Sequence, residues 1–210
     1  MRGEVKRANG SAERNCTAAY AIAPVEFLMP QAAHKADPVT PITMQFADDG
    51  FVPNNPTLPF LVYRGAIDVA GQKDPAALIE HTFAKNGWGD SWRDSVYSFT
   101  HFHSMIHEVL GVAAGRARVR FGGKTGEELE IEAGDVAVLP AGTGHQRIAA
   151  SRDFLIVGAY PPQGTYDLCR ATPAEHARAK ALIPNVPLPD ADPVYGKHGP
   201  LLRLWRESGG

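Results

Sequence analysis

His101-Phe-His103-Ser-Met-Ile-His107-Glu108-Val-Leu-Gly-Val-Ala-Ala-Gly115 and, further along, Gly134-Asp-Val-Ala-Val-Leu-Pro140-Ala-Gly142-Thr-Gly-His145 are the stretches that decide the fold. On a strand, residues two apart project from one face, so His101 and His103 point into the same space. Tyr97 and Phe99 share that parity and line the face behind them. A tight connection through Ser104 to Ile106 returns the chain antiparallel and sets Glu108 opposite the histidines, and Gly115 ends that strand. Gly134 opens another strand, Pro140-Ala-Gly142 bends the chain, and His145 starts the strand that brings a third imidazole. Three imidazoles and a carboxylate fill four positions of an octahedral metal site. Up to two positions remain for water, substrate or dioxygen.

Working outward from these stretches, residues 95 to 160 read with a period of two. Runs over 95–103, 107–114, 116–121, 127–132, 136–139, 145–149 and 154–160 are separated by glycine-bearing breaks. Many short strands at this spacing indicate an all-β sandwich or barrel. Arg116, Arg118 and Arg120 alternate with Ala117, Val119 and Phe121, so one face of that strand meets solvent and the other the core. Leu58-Pro-Phe-Leu-Val-Tyr63 reads as a strand at a sheet edge because of Pro59.

Two helices flank the strands. Asp74-Pro75 opens one over 74–85, with Asp74 as N-cap, Ala76, Leu78, Ile79 and Phe83 as its packing face, and Asn86-Gly87 as its stop. His81 reads as a surface residue of that helix. Thr172 and Glu175 form a capping box for a second helix that ends before Pro184. Residues 199–205 are expected to form a last strand or to dock on a neighbouring subunit.

The chain is ordinary in composition: 210 residues, 44% hydrophobic, 21% charged, with a formal net charge of -2. That balance gives no reason to expect nucleic acid or a membrane surface as partner. No run approaches eighteen apolar residues. Two cysteines, Cys16 and Cys169, fit a reducing compartment, and a cytoplasmic location is expected. Residues 1–40 read as a flexible leader and 41–210 as a single domain. Its barrel core spans about 95–160, and a C-terminal helix and extended tail follow over 172–206.

The two stretches resemble the signature motifs of the cupin superfamily. His101, His103, Glu108 and Gly115 match the first motif; Gly134, Pro140, Gly142 and His145 match the second. Two positions depart from the pattern: Ser95 stands where a Gly is usual, and Ala149 where an Asn is usual. Asp49-Gly-Phe-Val-Pro-Asn-Asn-Pro56, His107-Glu-Val-Leu-Gly111 and Asp192-Pro-Val-Tyr-Gly196 are similar to a narrower group, the YjlB-like bacterial cupins, over about residues 44–206. The resemblance implies a double-stranded β-helix, a small jelly roll, with His101, His103, Glu108 and His145 holding one divalent transition metal.

A turn one residue shorter would bring His107 to the fourth position in place of Glu108. The distance to Gly115 favours Glu108 and leaves His107 as a solvent-facing or supporting residue. Leu110 shares parity with Glu108 and gives the site an apolar wall. Arg147 shares parity with His145 and is a candidate anchor for a substrate carboxylate; Tyr97 and Phe99, with Leu110 and Arg147, are candidate substrate-pocket residues, though the two rings read chiefly as barrel core. Mixed nitrogen and oxygen ligation does not choose among Fe, Mn, Ni and Zn. The expected function is a metal-dependent enzyme of oxygenase, isomerase or lyase type acting on a small organic molecule. A non-catalytic ligand-binding or storage protein is the alternative, and a homodimer is expected by analogy with cupins.

Overall fold

The computed structural model describes residues 38–208; the leader expected over 1–40 lies, apart from its last three residues, outside them, as does Cys16. The chain order begins with strands β1 (Ile42–Met44) and β2 (Phe60–Tyr63), helix α1 (Pro75–Lys85) and strand β3 (Gly89–Asp94). Strands β4 (His101–Phe102), β5 (Glu108–Ala114), β6 (Arg116–Phe121), β7 (Glu127–Glu132) and β8 (Val136–Leu139) follow. Then come β9 (His145–Ala150), β10 (Leu155–Tyr160), β11 (Cys169–Arg170), α2 (Pro173–Leu182) and α3 (Pro200–Ser208). The strands form two antiparallel sheets, ordered β1-β2-β8-β5-β10-β3 and β11-β4-β9-β6-β7. This is the jelly-roll double-stranded β-helix, an all-β fold with short helices packed outside it.

Alternation along the strands builds its interior. Phe60 and Val62, Leu110 and Val112, Ala137 and Leu139, and Ile156 face inward from the larger sheet. Ala117, Val119, Phe121 and Ile131 meet them from the smaller one. The two sheets differ in what covers their outer faces. On the smaller sheet Arg118 and Arg120 face solvent and pair with Glu128. On the larger, Leu61, Tyr63, Val109, Ala113, Val136, Val138 and Val157 form a second core with α1 and α3. Strand β5 is therefore buried on both faces, which explains why it reads as a near-continuous apolar run. Gly111 permits the approach of α1, since a Cβ there would lie 2.6 Å from Ile79 Cγ2.

Helices α1 and α2 start where their caps predict: Asp74 accepts from Ala77 N–H, and Thr172 accepts from Glu175 N–H. Other expectations need correction. Residues 199–205 do not form a strand: from Pro200 they open helix α3, whose Leu201, Leu202 and Trp205 recur at helical spacing and are buried against the larger sheet of the same chain. Strand β2 is not an edge, because it pairs with both β1 and β8. Pro59 precedes the strand, where its missing N–H breaks no ladder bond, and its carbonyl accepts the Trp205 indole N–H at 2.9 Å. The run expected over 95–103 is interrupted; pairing occurs earlier, in β3, and resumes only at His101–Phe102. Asp94 Oδ1 takes the Ser95 N–H at 2.7 Å, a local bond that competes with the ladder.

One buried carboxylate ties the C-terminal segment to the barrel. Asp192 is fully buried; its Oδ2 accepts the Tyr63 hydroxyl at 2.6 Å and Leu201 N–H at 3.2 Å. Its Oδ1 accepts Val194 N–H at 2.8 Å and Tyr195 N–H at 3.0 Å. Charge-assisted bonds of this kind contribute about 1.5–3 kcal/mol each, and their loss leaves buried donors unpaired. Tyr63→Phe should therefore lower unfolding stability by about 1–2 kcal/mol, and Asp192→Ala by about 3 kcal/mol or more, as read by urea denaturation followed through tryptophan fluorescence.

A second tie joins the 45–50 loop to α2, where Asp48 contacts His176 Nε2 at 2.7 Å and Lys180 Nζ at 3.0 Å. Burial opposes its ionisation, but the Gly50 N–H, Lys180 and His176 outweigh it and hold the Asp48 carboxyl down at about 2, from an ordinary 3.8. On acidification the unfolded chain takes up this proton first, so the contribution is complete above about pH 4 and fades as the pH falls toward 2. With the side chain about a third exposed, screening reduces it to about 1 kcal/mol. The stability difference between wild type and Asp48→Asn should be present at pH 4.5 and shrink at pH 3; a difference unchanged at pH 3 would refute the tie.

Candidate metal centre

The two sheets meet at one end of the barrel around four polar side chains. His101 on β4 lies directly opposite His145 on β9, with ring centroids 3.9 Å apart. His103, just past the end of β4, sits 5.9 Å from His101 and 5.8 Å from His145 by ring centroids. Glu108 reaches across from β5 in the other sheet, placing Oε2 3.4 Å from His103 Nε2 and 3.3 Å from His145 Nε2. All four are buried. The two motif segments are also bonded to each other. Gly142 N–H donates to the His103 carbonyl at 2.7 Å. Gly142 itself takes φ +94°, and a Cβ there would meet Ile183 at 2.5 Å and the Asn54 carbonyl at 2.9 Å.

Backbone carbonyls set the direction of each imidazole. His101 Nδ1 contacts the Phe99 carbonyl at 3.2 Å, and His145 Nδ1 the Thr143 carbonyl at 3.1 Å. His103 Nδ1 contacts the Asp167 carbonyl. A carbonyl only accepts, so each Nδ1 carries a proton and each Nε2 is the ring nitrogen turned inward, where its lone pair can meet a cation. The donor atoms of His101, His103 and His145 lie within 4.8 Å of one another and can hold a metal ion. Glu108 Oε2, buried and without a hydrogen-bond donor, faces the same space.

Four acceptors converging in a buried volume repel one another unless positive charge sits among them. The titration of the cluster expresses this demand. Burial opposes ionisation of Glu108, yet the neighbouring His103 and His145 hold it well below the usual carboxylate range. Burial lowers His103, but Glu108 outweighs it and leaves this imidazole more basic than usual. Burial and the adjacent His145 push His101 down to about 2. The donor set, its tautomers and the orphaned carboxylate oxygen together fit a divalent transition metal.

His107 lies elsewhere. It projects from the opposite side of the chain, is completely buried rather than solvent-facing, and packs 4.7 Å from Trp205. Its Nδ1 accepts Ala141 N–H at 2.9 Å, and burial lowers its pKa to about 3. A cavity of about 290 Å³ opens above the four-residue cluster. Tyr97 and Leu110 line it, whereas Phe99 and Arg147 do not. Tyr97 is 45% exposed and stacks on Phe99, so it is not barrel core. Phe99 instead carries the Arg170 guanidinium 3.5 Å from its ring centroid, and Arg147 donates to the Ser95 hydroxyl at 2.8 Å.

Several neighbours of the site escape a motif reading. Tyr160 shares the inward parity of Ile156 on β10, a signal that alternation alone carries. Trp92 belongs to Gly89-Asp-Ser-Trp-Arg-Asp94, a strand poor in β-forming residues. Asp167 has no motif around it, yet its carboxylate gathers Ser104 N–H at 2.8 Å, Ser104 Oγ–H at 2.6 Å and Met105 N–H at 3.2 Å. It thereby holds the turn after His103 and brings Tyr166 within 5.1 Å of that imidazole by ring centroids. Cys169, buried and free, lies beside it.

No family model matches the chain. Among solved structures, a protein with a double-stranded β-helix domain from Klebsiella pneumoniae subsp. pneumoniae MGH 78578 aligns over 77% of this chain and all of its own, at 13% identity and TM-score 0.32. An acireductone dioxygenase from Bacillus anthracis with a cadmium ion in its active center aligns over 50% of this chain and 80% of its own, at 15% identity and TM-score 0.36. The sequence relationship is much stronger with the uncharacterized protein YjlB of Bacillus subtilis (strain 168): 39% identity over 163 residues, spanning 78% of this chain and 95% of that protein. With that near end-to-end match and both motifs folded into one jelly roll, the chain belongs to the YjlB family of cupins.

Proposed function

We propose that His101, His103, His145 and Glu108 hold one divalent transition metal, Fe, Mn, Ni or Zn, and that the protein is a metal-dependent enzyme acting on a small organic molecule by oxygenase, isomerase or lyase chemistry. The observation that carries this reading is the convergence of three Nε2 lone pairs and an orphaned, buried carboxylate oxygen at the floor of a 290 Å³ cavity. A bound divalent ion supplies Lewis acidity to a substrate oxygen. The chain's own residues do the rest. Leu110 and Val96 exclude water from one wall of the cavity. Tyr160, whose hydroxyl burial keeps protonated, offers a hydrogen-bond donor to a group bound above Glu108. The homodimer and the cytoplasmic setting belong to the same proposal, with β1, which pairs only with β2 among the described residues and bears the exposed Ile42, as the edge offered to a second copy.

Tag-free protein should contain close to one equivalent of iron, manganese, nickel or zinc per chain by elemental analysis, at a light-scattering mass twice that of the chain. His101→Ala and His145→Ala should lose it, and Glu108→Gln should weaken metal retention at least about tenfold, in the range of a lost carboxylate ligand. His107→Ala should keep full metal content while lowering stability by about 1–3 kcal/mol, since it leaves Ala141 N–H unpaired. Metal-free protein that takes up no added ion would overturn the reading.

A further inference from the structure

The outer half of the cavity carries chemistry that the histidine–glutamate cluster does not use. Around that cluster the cavity wall includes four aromatic side chains, with Tyr160 buried against His103 and Tyr97 and Tyr166 toward solvent beside Trp92. Two of them are locked together: the Trp92 indole N–H donates to the Tyr160 hydroxyl at 2.9 Å. The indole lies directly over Gly158, where a Cβ would meet ring atoms at 2.2 Å. Tyr166 meets Tyr160 edge-on at 5.5 Å, and Tyr97 meets His101 in the same manner at 4.9 Å. Tyr97 and Tyr166 remain 45% and 52% exposed at the mouth, although aromatic rings bury themselves wherever packing allows.

Three charged side chains stand at or beside this mouth, Arg93, Asp94 and Arg147, and two of them already have partners. On β3, Trp92 and Asp94 share the inner face, paired with Gly158 and Ile156 of β10. Arg93 also lines the cavity, but its guanidinium is neutralised by Glu80 at 2.7 and 2.8 Å and by Asp74 at 3.2 Å. Arg147 donates to the hydroxyl of Ser95, a lining residue, and makes no ion pair with Asp94. Asp94 lines the cavity, is exposed, and makes no ion pair among the described residues. Ring faces are electronegative, and several rings beside a free carboxylate select a weakly hydrated organic cation over a neutral or anionic group.

We propose that the outer half of the cavity is an aromatic box for a quaternary ammonium or similar organic cation, with Asp94 as its counter-charge. The substrate class is then a small zwitterion whose cationic end sits among Trp92, Tyr97, Tyr160 and Tyr166 and whose oxygen-bearing end reaches the histidines. The second half of that statement rests on the proposed function above; the box itself does not. A cavity of about 290 Å³ admits only a small molecule of this kind.

The test is a calorimetric titration of the full-length protein with choline and with its neutral isostere 3,3-dimethylbutan-1-ol, before and after chelator treatment. Choline should bind roughly tenfold more tightly than the isostere, in keeping with a desolvated cation–π site. Asp94→Asn and Tyr97→Leu, both at exposed positions that leave the fold intact, should each weaken choline by about threefold or more and leave the isostere unaffected. Chelator treatment should not change choline affinity. Equal affinity for the two probes, absence of choline binding, or choline binding indifferent to both substitutions would overturn the box. Choline selectivity in a protein that takes up no metal would uphold the box while removing the metal reading; metal uptake without choline selectivity would do the reverse.

Discussion

Everything at the open end of the barrel depends on bringing four hydrogen-bond acceptors from two different sheets into one buried space. Left to themselves three imidazole nitrogens and a carboxylate oxygen repel, and burial strengthens that repulsion by removing water. The fold opposes it with rigid backbone. His101 and His145 are held by a strand pair, and each of the three rings is aimed by a carbonyl on its far nitrogen. Glu108 is carried by a strand buried on both faces, so it cannot retreat toward solvent without dragging β5 from under α1. The arrangement makes sense as a preorganised cation site, in which the cost of convergence is met when the protein folds.

The parts of the molecule that supply stability are spatially separate from this chemistry. The outer face of the larger sheet, covered by α1 and α3, contains the Asp192 hub and the Trp88 and Trp205 anchors. His107 belongs to that side. Adjacent residues of one chain thus serve opposite purposes: Glu108 faces the cavity, and His107 packs on Trp205. Strand parity is sufficient to divide them.

Parity is also why much of the site was legible before any coordinates. The spacing of His101, His103, Glu108 and His145, with Gly115, Pro140 and Gly142 as punctuation, identified the four side chains that the structure brings together. Caps announced α1 and α2. What stayed hidden depended on tertiary partners. Strand β3 is polar and becomes a strand only because β10 offers it a ladder. Helix α3 is held by Trp205 reaching the Pro59 carbonyl, a contact between residues far apart in the chain. Tyr97 was assigned to the core by extending the strand of His101 backwards, but Asp94 and Ser95 break that strand and leave the ring at the cavity mouth. Asp167 acts through a turn rather than a motif, so nothing local distinguishes it.

The central claim is that the converged acceptors form one mononuclear metal site. X-ray absorption at the edge of whichever metal accompanies the tag-free protein tests it most directly. The account predicts a first shell of nitrogen and oxygen scatterers at about 2.0–2.2 Å with the multiple-scattering signature of three imidazoles, and a loss of that signature in His145→Ala. A shell containing sulfur, or one with fewer than two imidazoles, would place the metal elsewhere and contradict it.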